Sequence, residues 1–160
     1  MKQDLTNIFF DETFKLTAEI ARKYYFGSFG KWDPEVPALE NNKVNISEEG
    51  WSHLHHKARS KVEMLTRYFA LPKAAAVLLC KEAVVEYRKG DDRKSEFWAL
   101  FADVDGVIIK VVVRSINGGT KHFYSVVWQG EGKELNEDNK KRAASRLYPR
   151  CGGINTPQLS

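Results

Sequence analysis

The sequence predicts an α+β fold: N-terminal helices, then a four-stranded antiparallel β-meander, then a short C-terminal helix. Three observations predict it. Apolar residues recur at spacings of three and four up to about residue 71, period-two β-branched runs follow Val77, and hairpin residues separate those runs. The chain of 160 residues, 42% apolar and 29% charged, has the balance of a folded protein able to bury a core without staples.

The elements follow in order. In residues 4–25, "DLTNIFFDETFKLTAEIARKYY", Phe9, Leu16, Ile20 and Tyr24 fit one helix face. "FGSFGKWDPEVP" stops that helix with glycine, serine and two prolines, and a loop is expected to about Ile46. A second helix starts at Ser47, a candidate N-cap, with Glu48 and Glu49 where the helix dipole favours acids. It is expected to end before Pro72, with Trp51, Leu54, Ala58, Val62, Leu65 and Phe69 as its core stripe. Strands are expected at about 83–88, 96–104, 107–115 and 121–129, joined by "DDRK", Asp105-Gly106 and Asn117-Gly118-Gly119. "NEDNKKRAASRLYP" supplies the basic C-terminal helix. The domain boundaries are then a helix-and-loop extension over 1–46, a helix-plus-sheet domain over 47–148 and a tail over 149–160.

Composition narrows the function classes. The net charge of +4 and pI of about 9.0 permit an acidic partner without requiring one. Cys80 and Cys151 lie far apart with no CxxC or Cys/His ligand spacing, which argues against a disulfide framework and against structural zinc. A reducing cytoplasm suits them. Acids interrupt the N-terminus, so no signal peptide is expected, and no apolar run approaches the ~20 residues of a membrane span. There is no phosphate-binding glycine loop and no GxSxG elbow.

The hairpins sort the strands by face. A two-residue Asp105-Gly106 turn pairs Val104 with Val107, so Trp98, Leu100, Ala102 and Val104 share an apolar face with Val107, Ile109, Val111 and Val113. A two- or four-residue turn at Asn117 adds His122, Tyr124, Val126 and Trp128 to it. The opposite face then alternates Phe97, Phe101, Lys110, Arg114, Lys121, Phe123 and Ser125, cations for phosphates beside rings for bases. A three-residue turn would swap the faces of the last strand.

Three of the four histidines fall in "WSHLHHKARSK". On one continuous helix His55 lies at the edge of the apolar stripe, where a general acid or base is readily tuned, while His53 and His56 share the opposite face with Arg67. "HLHH" has no HExxH spacing and no cysteine partner, so no metal and no cofactor are expected.

The whole arrangement resembles the barnase/EndoU/colicin/RelE superfamily of small ribonucleases, the toxin and phage-associated branches in particular. The likeness rests on "WSHLHHKARSKVEML", on "RYFALPKAAAV" before the first strand, and on the final pair "VIIKVVVRS" and "KHFYSVVW", spanning residues 47–129. It implies metal-independent RNA cleavage in which the ribose 2′-OH attacks the adjacent phosphate. His53 or His55 would supply the acid or base, Arg114 and Lys121 would hold the phosphate, and Ser125 would bond a phosphate oxygen or position the nucleophile. Lys110, Phe123 and His56 would help bind RNA, with tRNA among the candidate targets and an immunity or antitoxin protein as a second partner. The competing expectation is a non-catalytic nucleic-acid- or protein-binding module that uses the same basic face for affinity. One tension runs through the catalytic reading: the histidine helix packs on one face of the sheet and the basic group lies on the other.

Overall fold

The computed structural model describes residues 4–129 and 148–151. It is α+β, with a long N-terminal helix and a mixed sheet of six strands. Helix α1 spans Leu5–Gly27; the Asp4 carboxylate caps it by accepting from the Thr6 N–H at 3.0 Å. A 3-10 turn at Phe29–Lys31 follows, then strands β1 (Glu35–Val36) and β2 (Asn42–Asn45). Helices α2 (Glu48–Leu54) and α3 (Lys61–Leu79) come next. The strands β3 (Val84–Lys89), β4 (Ser95–Val104), β5 (Val107–Ile116) and β6 (Lys121–Trp128) complete the order.

The expected four-stranded antiparallel sheet is instead a mixed sheet of six strands, within which β3, β4, β5 and β6 pair antiparallel in chain order. Its order is β1-β2-β6-β5-β4-β3, and β2 runs parallel to β6 through Val44–Lys121 and Asn45–His122. The expected loop therefore contains two strands. They are short and polar apart from the buried Val36 and Val44, too brief to show a period. The expected C-terminal helix lies outside the described residues.

The single helix expected from Ser47 is two helices. Ser60 starts α3 with a capping box: its Oγ accepts from the Glu63 N–H at 3.1 Å, and Glu63 Oε2 accepts from the Ser60 N–H at 3.1 Å. Pro72 does not end α3. It sits on the exposed side, and burial of Ala74, Ala75, Val77 and Leu78 beyond it carries the helix on to Leu79. Splitting the helix also changes its core face. Val62 and Phe69, expected inside, are 60% and 57% exposed, while Met64, Tyr68 and Leu71 are buried. In α1, likewise, Ala21 and Tyr25 are buried, and Phe9, Leu16 and Ile20 face outward.

Helix α3 packs on the apolar sheet face predicted from the Asp105-Gly106 turn. Val104 pairs with Val107, and the turn residues have φ of 55° and 84°, as a type I′ turn demands. Leu71 and Leu78 are wholly buried in one cluster with Leu100, Ile109, Val111 and Val126. Each such side chain contributes about 1.5–3 kcal/mol.

The cysteine reading is overturned. Cys80, just after α3, is bonded to Cys151, with Cα atoms 5.8 Å apart and both residues buried. Sequence spacing could not show this, because the chain returns to β4 only at its far end. Beyond the start of β3, Asp103 accepts from the Cys151 N–H at 2.8 Å and donates its own N–H to the Pro149 carbonyl at 2.9 Å. The start of the expected tail is thus docked on the sheet. Among the described residues no helix is long and apolar enough to cross a membrane.

Candidate nucleic-acid interface

The face of the sheet away from α3 is laid out by strand register in three rows. Arg88, Phe97, Arg114 and His122 are cross-strand neighbours in the first row. Glu86, Ala99, Val112 and Ser125 form the second, and Val84, Phe101, Lys110 and Val127 the third. The middle row has small side chains at its centre, so it forms the floor of a cleft of about 500 Å³ between bulkier rows. Glu86 and Ser125 mark its ends, three strand spacings or about 14 Å apart.

One irregularity decides which side chains reach this face. Arg114 pairs with His122, the register of a three-residue turn, so Phe123 points into the core and is wholly buried. A bulge opposite Val112 and Val113 then accommodates Tyr124 as an extra residue and restores the expected faces for Ser125, Val126 and Val127. Tyr124 and Ser125 therefore both line the cleft.

Helical residues reach the same end of the cleft by going round the sheet edge. Strand β2 covers β6 only at Lys121 and His122, and beyond them the outer edge of β6 has no strand neighbour among the described residues. Across that edge Arg67 of α3 donates to Ser125 Oγ at 2.5 Å and to the Val126 carbonyl at 3.4 Å. His53, near the end of α2, stacks on Tyr124 with ring centroids 3.9 Å apart. Arg59, in the turn before α3, donates to His53 Nε2 at 3.0 Å and to the His53 carbonyl. The tension between the helix side and the basic side is resolved at this edge.

Electrostatics single out His53. Burial, followed by the neighbouring Arg59 and Arg67 charges, pulls its pKa from 6.5 to about 4, so it is neutral at pH 7. A guanidinium only donates, so Nε2 accepts and the ring proton sits on Nδ1. Burial also lowers the pKa of Arg67 and of Lys110; both remain cations, held partly out of water. Arg67, Arg88 and Lys110 line the cleft with Glu86 as the one carboxylate among the described residues, and the rings of Tyr87, Phe97 and Tyr124 line it too. Arg88 stacks over Phe97 at 4.9 Å. The arrangement suits an anion with planar groups attached.

The expected site residues separate. His53, Ser125 and Lys110 line the cleft. Arg114 stands beside it, over Tyr124 at 5.3 Å, with its donors committed to Glu49 Oε1 at 2.7 Å and Ser95 Oγ at 3.0 Å. His55 is elsewhere: it ends α2, stacks on Trp51 at 5.5 Å and shares a hydrogen bond with the Tyr68 hydroxyl between the helices. His56 is exposed in the turn, accepting from the Ala58 N–H. Lys121 lies over Trp98 at 4.6 Å on the apolar face, and Phe123 is core. The sequence reading did not select Arg59, Arg67, Tyr124, Arg88 or Glu86. Only the bulge and the helix break bring the first three together, and neither has a periodic signal.

Among the described residues, no group of three His, Cys, Asp or Glu side chains converges on a possible metal position. No protein-family model matches the chain, no curated protein is similar to it in sequence, and no solved structure matches its fold.

Proposed function

We propose that the cleft binds single-stranded RNA and cleaves it without metal, by attack of a ribose 2′-OH on the adjacent phosphate. The observation that carries the reading is the cluster of neutral His53, Arg59, Arg67 and Ser125 at one end of an aromatic, cationic cleft. The scissile phosphate sits against Arg67 and Ser125, and flanking bases stack on Tyr124 and Phe97. Arg59 moves from His53 Nε2 to a phosphate oxygen, which suits a guanidinium better, and the freed lone pair takes the 2′-OH proton. Arg59 and Arg67 then neutralise the phosphorane, the 2′,3′-cyclic phosphate forms, and the departing 5′-oxygen takes its proton from water entering the open cleft. The resemblance to the barnase/EndoU/colicin/RelE superfamily points to the same chemistry, and toxin-like action on tRNA or another cytoplasmic RNA, restrained by an immunity protein, belongs to that reading.

The second reading is a non-catalytic RNA-binding module. It is favoured by Arg59 occupying the His53 lone pair and by the distance to Glu86, about 14 Å across the row from Ser125, too far to act on one phosphate with His53. Incubating purified protein with total RNA and a tRNA pool in EDTA separates the two. Cleavage by the wild type that disappears in His53→Gln, while His55→Ala cleaves normally, supports the enzyme. RNA that is bound but left intact supports the module.

A further inference from the structure

We infer that the outward face of α1 is a dimer interface for a second copy of this chain, joined antiparallel about a two-fold axis between Glu12 and Thr13. Leu5, Phe9, Leu16 and Ile20 are 80%, 74%, 59% and 59% exposed. At 100° per residue Leu16, Phe9 and Ile20 lie only about 20°, 40° and 60° round the helix from Leu5. They form one stripe, opposite the side on which Ala21 and Tyr25 enter the core. Val62 and Phe69 of α3, 60% and 57% exposed, extend the apolar surface onto the second helix. Six large side chains so exposed present on the order of 700 Å², beyond the usual largest patch of a monomer and close to the ~800 Å² each partner commits to a specific interface.

The spacing identifies the occupant. Positions 5 and 20, and positions 9 and 16, are symmetric about one point, so a second α1 laid antiparallel sets Leu5 against Ile20 and Phe9 against Leu16, twice over. The pocket between α1 and α3, about 300 Å³ and lined by Ile20, Tyr24, Phe69 and Pro72 among others, lies level with the partner's Leu5 in that pairing. Charges fit as well. Glu12 and Lys15 are paired at 3.3 Å within each chain and both are largely exposed; across the axis the two Glu12 meet and each Lys15 comes beside the partner's Glu12, so two acids and two lysines form one balanced cluster. Glu12 and Glu19 border the stripe, about 20° and 40° round the helix from Leu5, which disfavours an anionic lipid surface as the occupant.

Sedimentation of the full chain over a wide concentration range tests the inference. The wild type is expected to sediment as a dimer of the 18.3 kDa chain, and Leu16→Glu, at an exposed position, as a monomer with an unchanged circular dichroism spectrum. Mild oxidation is expected to cross-link Glu12→Cys into dimers and to leave Lys23→Cys uncross-linked, since the two residues 23 lie about 31 Å apart in the antiparallel pair. A wild type that stays monomeric at every concentration overturns the inference, as does a dimer that survives Leu16→Glu or cross-links equally well through Lys23→Cys.

Discussion

The depressed pKa of His53 makes folding stability depend on pH in a way one substitution removes. The unfolded chain protonates this imidazole near 6.5, the folded protein only near 4. Above pH 6.5 both states hold it neutral and its contribution is complete. As pH falls from 6.5 to 4 the unfolded state gains a proton that the folded state refuses, and stability is lost through that window. At about 1.4 kcal/mol per pKa unit the loss has a ceiling of about 3 kcal/mol, reduced by the part of the ring that water reaches. Urea unfolding of the wild type and His53→Gln at steps from pH 7.5 to pH 4 measures it as a difference, because every other titrating group is common to both. The wild type should lose about 2–3 kcal/mol more than the variant over the window. Curves that run parallel within about 0.5 kcal/mol, the usual scatter for non-interacting positions, would refute the burial of a neutral His53 and with it the base assigned to the cleft.

Other perturbations have different signatures. Reducing Cys80–Cys151 opens a loop with a sequence separation of 71 residues. The chain-entropy relation gives about 4 kcal/mol for such a loop, so calorimetry with and without reductant should show Tm falling by roughly 12 °C. Gly50→Ala puts a methyl group against the Tyr25 hydroxyl and within 2.8 Å of Phe123; overpacking there should cost about 3 kcal/mol in urea unfolding. His55→Ala removes the ring that stacks on both Trp51 and Tyr68, with its hydrogen bond to the Tyr68 hydroxyl, and should lower stability by about 1–2 kcal/mol while leaving any RNA cleavage rate unchanged. Arg67→Met and Lys110→Met should each flatten the slope of log affinity for single-stranded RNA against log salt by about 0.7.

Much of the scaffold was legible because local chemistry agreed with the global fold. Asp105-Gly106 fixed the β4–β5 register, and the apolar face derived from it, Trp98 to Val113, is the face that packs on α3. The capping box Ser60–Glu63 went unread in "SKVE", because an apolar stripe running through it from Trp51 to Phe69 implied one continuous helix. A continuous helix already put His53 and His55 on different faces; what the break added is the turn that carries Arg59 back onto His53. The site was legible only in part. Its cations and rings stood out on the strands, yet Phe123 and Tyr124 changed places through a three-residue turn and one bulge, and a bulge leaves no periodic trace. Arg67 was assigned to a solvated helix face; it bonds Ser125 because β2 stops short and leaves the β6 edge open to it. The disulfide and the pairing of β2 with β6 rest on contacts distant in sequence, which no local pattern encodes, and β1, paired only with nearby β2, is too short to show a period.

The central claim, cleavage through a ribose 2′-OH at the His53 end of the cleft, is tested most directly by a DNA oligonucleotide carrying a single ribonucleotide, incubated in EDTA with wild type and with His53→Gln. The account predicts one cut by the wild type, 3′ of the ribonucleotide and ending in a 2′,3′-cyclic phosphate, with at least a hundredfold loss in the variant, as removal of a general base entails. An oligonucleotide left intact at protein concentrations that saturate binding, or cut equally well by the variant, would contradict it.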